Sequence, residues 1–129
     1  MPSSTLGISH IIQIALNVHD LERATGFSRD TLGLQFLFST GAMAFFDCGG
    51  VRLMLTRPES PELDHPSSIL YFAVPDINRA HHQLIDKNVK FEDSPHLIAR
   101  MPDHDLWMTH FHDSEQNLLS LMSEVSHKS

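Results

Sequence analysis

A stretch near the start of this chain is repeated in its second half, and that duplication limits the fold to paired copies of one unit. Val18-His19-Asp20-Leu21-Glu22-Arg23-Ala24 recurs as Val74-Pro75-Asp76-Ile77-Asn78-Arg79-Ala80, a shift of 56 positions. Further on, Phe45, Asp47, Leu53 and Leu55 recur as Phe111, Asp113, Leu119 and Leu121, a shift of 66. Two copies of a strand–helix–strands unit, the second with an insertion in its later part, account for both shifts. Such a pair builds a pocket between its copies, so the residues lining the seam are expected to carry the function.

A chain of 129 residues makes one domain and buries a core without disulfide or metal staples. Its hydrophobic residues never run to the roughly 20 in succession that span a bilayer, so no membrane partner is expected. Met1-Pro2-Ser3-Ser4-Thr5 lacks the basic start and apolar stretch of a secretory signal. The single Cys48 forms no internal disulfide, and a reducing, cytoplasmic setting follows as the expectation. A formal charge of −7, with nine scattered Lys and Arg, weighs against nucleic acid as a partner. Phosphate loops, dinucleotide glycine fingerprints and Cys-x-x-Cys pairs are missing from the sequence.

The first copy is expected over residues 8–56. Ile8 to Val18 reads as a strand of period-two character. Asp20 caps a helix by accepting from an early helical N–H, Leu21, Ala24, Phe27 and Leu32 face inward, and Gly33 ends it. Strands follow at Gln35–Ser39, Ala42–Asp47 and Val51–Thr56, with Gly49-Gly50 turning between the last two. Residues 57–67, with three prolines, read as a linker. The second copy, 68–125, opens with strand Ser68–Val74 and a helix capped by Asp76 that buries Ile77, Ala80, Leu84 and Ile85. Strands near Lys90–Glu92, Ile98–Arg100, Leu106–Asp113 and Leu118–Ser123 complete it, the last two joined by the turn Asp113-Ser114-Glu115-Gln116-Asn117.

Asp20-Leu21-x-x-Ala24-x-x-Phe27 followed by Leu32-Gly33-Leu34 resembles the vicinal oxygen chelate superfamily of glyoxalases, extradiol dioxygenases and bleomycin-resistance proteins. Asp113-Ser114-Glu115-Gln116-Asn117 resembles its Asp-Pro-Asp-Gly-Asn turn, with Ser and Gln in place of Pro and Gly. The resemblance spans residues 8 to 125. It implies an α+β fold of two βαβββ modules whose curled mixed sheets enclose a cup-shaped cavity, in a homodimer. Enzymes of the family hold a metal on the first and last strands of each module. Seven residues before the capping Asp20 and Asp76 stand Gln13 and Ile69; seven after Asp47 and Asp113 stand Met54 and Ser120. A divalent cation takes carboxylate oxygen or imidazole nitrogen, and this quartet supplies neither. No metal and no cofactor are therefore expected.

Other residues offer chemistry of their own. His110 and His112 share one strand face and could chelate zinc with His96 or His104, or simply face solvent. His81-His82, about 100° apart on a helix, do not act together. Trp107 lines a ligand pocket or packs in the core. Asp103 and Asp105 flank His104 and could orient it as a base, or form a charged loop. Tyr71 shares the strand face of Ile69 and brings a hydroxyl to it. Met54, Ile69, Tyr71 and Trp107 would make an apolar cup for a flat or apolar small molecule, with Gln13 and Ser120 as polar anchors and His96 and His104 as further candidates for binding it. Cys48 has no basic neighbour to activate it.

Three readings stand open. The leading one is a metal-free member that binds a small molecule, as the resemblance implies for resistance proteins that sequester a cationic drug; the charge of −7 is compatible with this. Another is a lyase, isomerase or dioxygenase with a divergent metal or acid–base site using His104, His110 and Tyr71, although the usual metal ligands are absent. A third is an interaction scaffold without ligand.

Overall fold

The computed structural model describes residues 6–8 and 10–127. Met1 to Thr5, read above for targeting features, and Ser9 of the expected first strand lie outside them. The first copy comprises β1 (Gln13–Asn17), α1 (Leu21–Gly26), β2 (Gln35–Thr40), β3 (Met43–Cys48) and β4 (Val51–Thr56). The second comprises β5 (Leu70–Ala73), α2 (Ile77–Asp86), β6 (His96–Arg100), β7 (His104–His112) and β8 (Leu118–Ser126). Each copy forms a four-stranded mixed sheet, ordered β1-β4-β3-β2 and β5-β8-β7-β6, in which β1 runs parallel to β4 and β5 to β8, and the helix joins the two edge strands. The fold is α+β with two βαβββ modules, as expected. No helix among the described residues is long and apolar enough to cross a membrane.

Local chemistry sets the elements. Asp20 and Asp76 accept from the N–H groups of Arg23 and Arg79 at 3.0 and 3.1 Å, capping α1 and α2. Gly49 and Gly50 both have positive φ, which the two-residue hairpin from Cys48 to Val51 requires. Leu16, Val18, Phe46, Leu53 and Leu55 of the first module join Ile77, Leu84, Phe111, Leu119 and Leu121 of the second in one core. The linker is tied back to β1, since the Asn17 side chain donates to the carbonyls of Leu63 and His65.

Several expectations are corrected. The first strand begins at Gln13, not Ile8, because β4 turns away into its hairpin at Val51: the ladder ends where the Ile12 carbonyl accepts from the Arg52 N–H, and Ile8, Ile11 and Ile12 stand exposed. The first helix widens into a π-helical segment over Phe27–Thr31 before Gly33. Ile85 is exposed, because it lies about 100° round α2 from buried Leu84. Lys90–Glu92 forms no strand, only a bridge from Phe91 to Phe111. Finally, β7 matches β3 at a shift of 65 rather than 66. Phe46 pairs with Leu53 as Phe111 pairs with Leu119, so Phe45 and Asp47 correspond to His110 and His112. The cause is the longer turn between β7 and β8.

That turn also joins the modules. The Asp113 carboxylate gathers the N–H groups of Glu115 and Asn117 and the Asn117 amide. Glu115 then reaches the first module, accepting from the N–H groups of His19 and Asp20, each at 2.9 Å, and from Arg23 Nε at 2.7 Å. Its side chain is 2% exposed. Burial opposes ionisation, but the hydrogen bonds from Arg23 and the two backbone donors outweigh it and hold the carboxyl down at about 2, from an ordinary 4.5. A pKa lowered by folding adds stability above pH 4.5 that is lost as pH falls from there toward 2. Replacing Glu115 with Gln should cost about 2 kcal/mol at neutral pH. In urea unfolding the gap between wild type and E115Q should close as pH drops through that window; a gap independent of pH would contradict the assignment. Gln116, with φ of 68°, sits where a glycine is unstrained. Gln116→Gly should raise the urea midpoint by the equivalent of about 0.5–1 kcal/mol without changing the slope.

Candidate functional site

Alternation along each strand gives every sheet a helix-side face and an opposite, outward face. In the first module Leu16, Phe46, Leu53 and Leu55 are buried beneath the helix. Their neighbours in sequence form rows on the outward face. Ala15, Met54, Phe45 and Phe38 lie abreast in one row, and Gln13, Arg52, Asp47 and Gln35 in the next. Phe38 stacks on Phe45 with ring centroids 4.5 Å apart. The Gln13 amide is held at both ends: Arg52 Nε donates to its oxygen at 2.7 Å, and its nitrogen donates to Met54 Sδ at 3.6 Å. The Arg52 guanidinium carbon lies 5.9 Å from the centre of the Phe45 ring.

On the outward face of the second module Tyr71, Ser120 and His110 stand abreast. Ile69, just before β5, and Tyr71 are exposed, whereas Ser120 is fully buried. The Ser120 hydroxyl donates to the carbonyl of Thr109 at 3.0 Å, within its own sheet. Tyr71 meets the His110 ring edge to face at 6.0 Å. Behind His110 lies Asp93, in the segment between α2 and β6. Its Oδ1 accepts from the Thr109 hydroxyl and the His110 N–H, and its Oδ2 lies 3.5 Å from His110 Nδ1. Burial raises the Asp93 carboxyl, but the bonds from Thr109 and His110 prevail and leave it below the usual carboxylate range.

The structure thus brings Gln13 to Met54, and Ile69, Tyr71 and Ser120 to His110. It sets the remaining candidates apart. Trp107 alternates with His110 and packs against the core on the helix side. His104 lies six residues further along β7, about 20 Å from His110. Both its ring nitrogens meet carboxylates, Asp103 at 2.6 Å and Glu124 at 3.4 Å. Asp105 binds His127 and Arg100 instead. His96 pairs with Met108 and leans on the carbonyl of Ser94. His112 is engaged by Glu92 at 2.7 Å, so it and His110 answer to separate carboxylates. Among the described residues no group of three or more His, Cys, Asp or Glu could hold a metal ion. Burial, reinforced by Asp47, pushes the Cys48 thiol up, so it is not an activated nucleophile.

Two hollows open along the seam. The larger, about 860 Å³, runs between Leu32–Leu34, the Cys48-Gly49 turn, β5 and α2. The smaller, about 290 Å³, has Ile14, Val51, Leu53, Ile69, Tyr71 and Phe72 in its wall. Gln13, Met54 and Ser120 line neither. The sequence reading overlooked Arg52, Asp93 and Glu115. Arg52 was within reach, since period-two spacing puts it on the Met54 face.

The profile of the Glyoxalase/Bleomycin resistance protein/Dioxygenase superfamily matches residues 7–121. The uncharacterized protein YraH of Bacillus subtilis is 28% identical over 128 residues, covering 86% of this chain and 95% of that protein. Among solved structures, a superfamily member from Sphaerobacter thermophilus superposes with a TM-score of 0.76 at 21% identity, covering 91% of this chain and 98% of the other. Lactoylglutathione lyase from Agrobacterium tumefaciens gives 0.71 at 24% identity, with 90% and 94% covered. TnmS3, an antibiotic binding protein from a Streptomyces species, gives 0.70 at 22%, with 91% and 97% covered. The paired modules and the family match agree: the chain belongs to the glyoxalase/bleomycin resistance protein/dioxygenase superfamily.

Proposed function

We propose that this protein is a metal-free, cytoplasmic binder of a small molecule, working as a homodimer. The observation that carries this reading is the donor chemistry at Gln13, Met54, Ile69 and Ser120. They offer one amide already bonded at both ends, a thioether, a hydrocarbon and a buried hydroxyl. Such donors do not fit a divalent cation, which needs charged or imidazole ligands. One outward row of the first module, Ala15, Met54, Phe45 and Phe38, is instead apolar and aromatic, the side-chain chemistry that flat organic ligands favour. TnmS3, of similar fold, is an antibiotic binding protein, which agrees with this use of the fold. Dimerisation is supported by the exposure of Phe36 and Leu37 on edge strand β2 and of Ile69 and Tyr71.

A second reading is favoured by one observation. Asp93 braces His110 beside Tyr71, an arrangement suited to acid–base chemistry in a lyase or isomerase. No partner for His110 Nε2 stands among the described residues.

The readings separate by experiment. Protein purified without a histidine tag and dialysed should carry only sub-stoichiometric nickel, zinc and iron, and aromatic ligands in a thermal-shift panel should raise its melting temperature. Stoichiometric metal retained through dialysis would overturn the metal-free reading. If turnover of any ligand is found, His110→Gln should abolish it while leaving the ligand-induced shift in place. Sedimentation at micromolar concentration should give the mass of a dimer; a monomer would remove that part of the proposal.

A further inference from the structure

We propose that the outward face of the first module is an anion-recognising subsite, in which Arg52 takes the carboxylate or sulfonate of an aromatic ligand whose rings lie on Phe38 and Met54. This rests on the small-molecule reading above and names the class of ligand. An arginine side chain at a protein surface ordinarily keeps its rotamer freedom and is surrounded by water. Arg52 is held instead: Nε is bonded to Gln13 at 2.7 Å, and its guanidinium lies by the Phe45 ring. Gln13 cannot swing aside freely, because its own nitrogen is bonded to Met54. With Nε engaged, the two terminal NH₂ groups remain, the pair that grips a carboxylate or sulfonate with parallel bonds. Asp47 stands across from Arg52 in the β3–β4 register, yet no carboxylate among the described residues lies within ion-pairing distance of Arg52.

The surroundings select the rest of the ligand. Phe38 is 49% exposed and stacks on Phe45, which is only 9% exposed and backs it, and Met54 supplies an adaptable thioether next to them. A cation fixed at one edge of an aromatic platform recognises a flat molecule with an acidic group at one end. Because the guanidinium is braced before the ligand arrives, little ordering is left for binding to bring about. The net charge of −7 does not oppose this, since a guanidinium acts at contact distance while distant acids are screened.

The probes are anilinonaphthalene sulfonate and its uncharged analogue N-phenylnaphthylamine, both followed by fluorescence on the intact protein. Wild type should bind both. Arg52→Met should weaken the sulfonate about tenfold and leave the neutral probe within about twofold. Arg52→Lys, which keeps the charge but loses the fork and the bond to Gln13, should fall between, and Gln13→Ala should weaken only the sulfonate, about threefold. Phe38→Ala should weaken both probes. Thermal melts matching wild type would establish that the variants fold, and Arg52→Lys keeps the test open if Arg52→Met does not. Equal weakening of both probes by Arg52→Met, or none, would overturn the anion subsite while leaving small-molecule binding intact. Insensitivity of both probes to Phe38→Ala would likewise overturn it by locating them elsewhere. Binding of the neutral probe alone by wild type would overturn the anion subsite and leave the binding reading standing; binding of neither would overturn this proposal, and the thermal-shift panel would still decide the binding reading.

Discussion

One buried carboxylate holds the architecture together. Glu115 sits on the β7–β8 turn of the second module and closes on the first, taking two backbone donors ahead of α1 and the side chain of Arg23. A carboxylate this buried is tolerable only when its oxygens are satisfied, and here these three donors and the Ser114 hydroxyl converge on it. The donors gain equally, since the N–H groups at a helix start have no partner within the helix. Asn117 adds a bond from its amide to the carbonyl of Asn17, at the end of β1. The turn therefore fixes where the second sheet lies against the first, and the shape of the seam and its hollows follows from that docking.

The same turn decides which residues face outward. The β3–β4 hairpin closes through Gly49-Gly50, whereas β7 and β8 are joined through Asp113 to Asn117. One additional residue in a hairpin shifts the partner strand by one, and in a strand a shift of one moves a side chain to the other face. Phe46 and Phe111 remain equivalent in the core, so the outward positions opposite Phe45 and Asp47 are taken by His110 and His112. The first module presents a phenylalanine platform there; the second presents histidines, each braced by its own acid. A duplicated fold has become two chemically different faces through a change in turn length, with the core unaltered.

What could be read from the residues follows from the range of the interactions involved. Capping by Asp20 and Asp76, the Gly49-Gly50 turn and the alternation of β4 depend on neighbours within a few positions, and these were legible. The start of β1 was not, because Ile8 and Ile11 suit a strand and only the absence of a further ladder beyond Arg52 excludes them. Nor was the offset of β7, since the match of Phe45 to Phe111 is as good in letters as that of Phe46. Trp107 was decidable in principle: counting back by twos from buried Phe111 places it on the core face. Asp93 was not, because it lies outside any strand and acquires its role only when that segment crosses β7.

Gln13 has partners of its own at a position that metal-dependent enzymes of the family use for a ligand. In those enzymes the resemblance places a metal-holding side chain at this position. Here the amide oxygen meets a cation as well, but the cation is the guanidinium of Arg52, carried by the next strand of the same sheet. The amide nitrogen needs an acceptor, and Met54, at a second of the four positions, provides a soft one. Two residues that could not hold an ion between them can hold an arginine. A metal can be lost to a chelator and regained; a guanidinium on the chain cannot. The positive charge in this face is therefore fixed by the sequence, and recognition of an anion there needs no ion from solution.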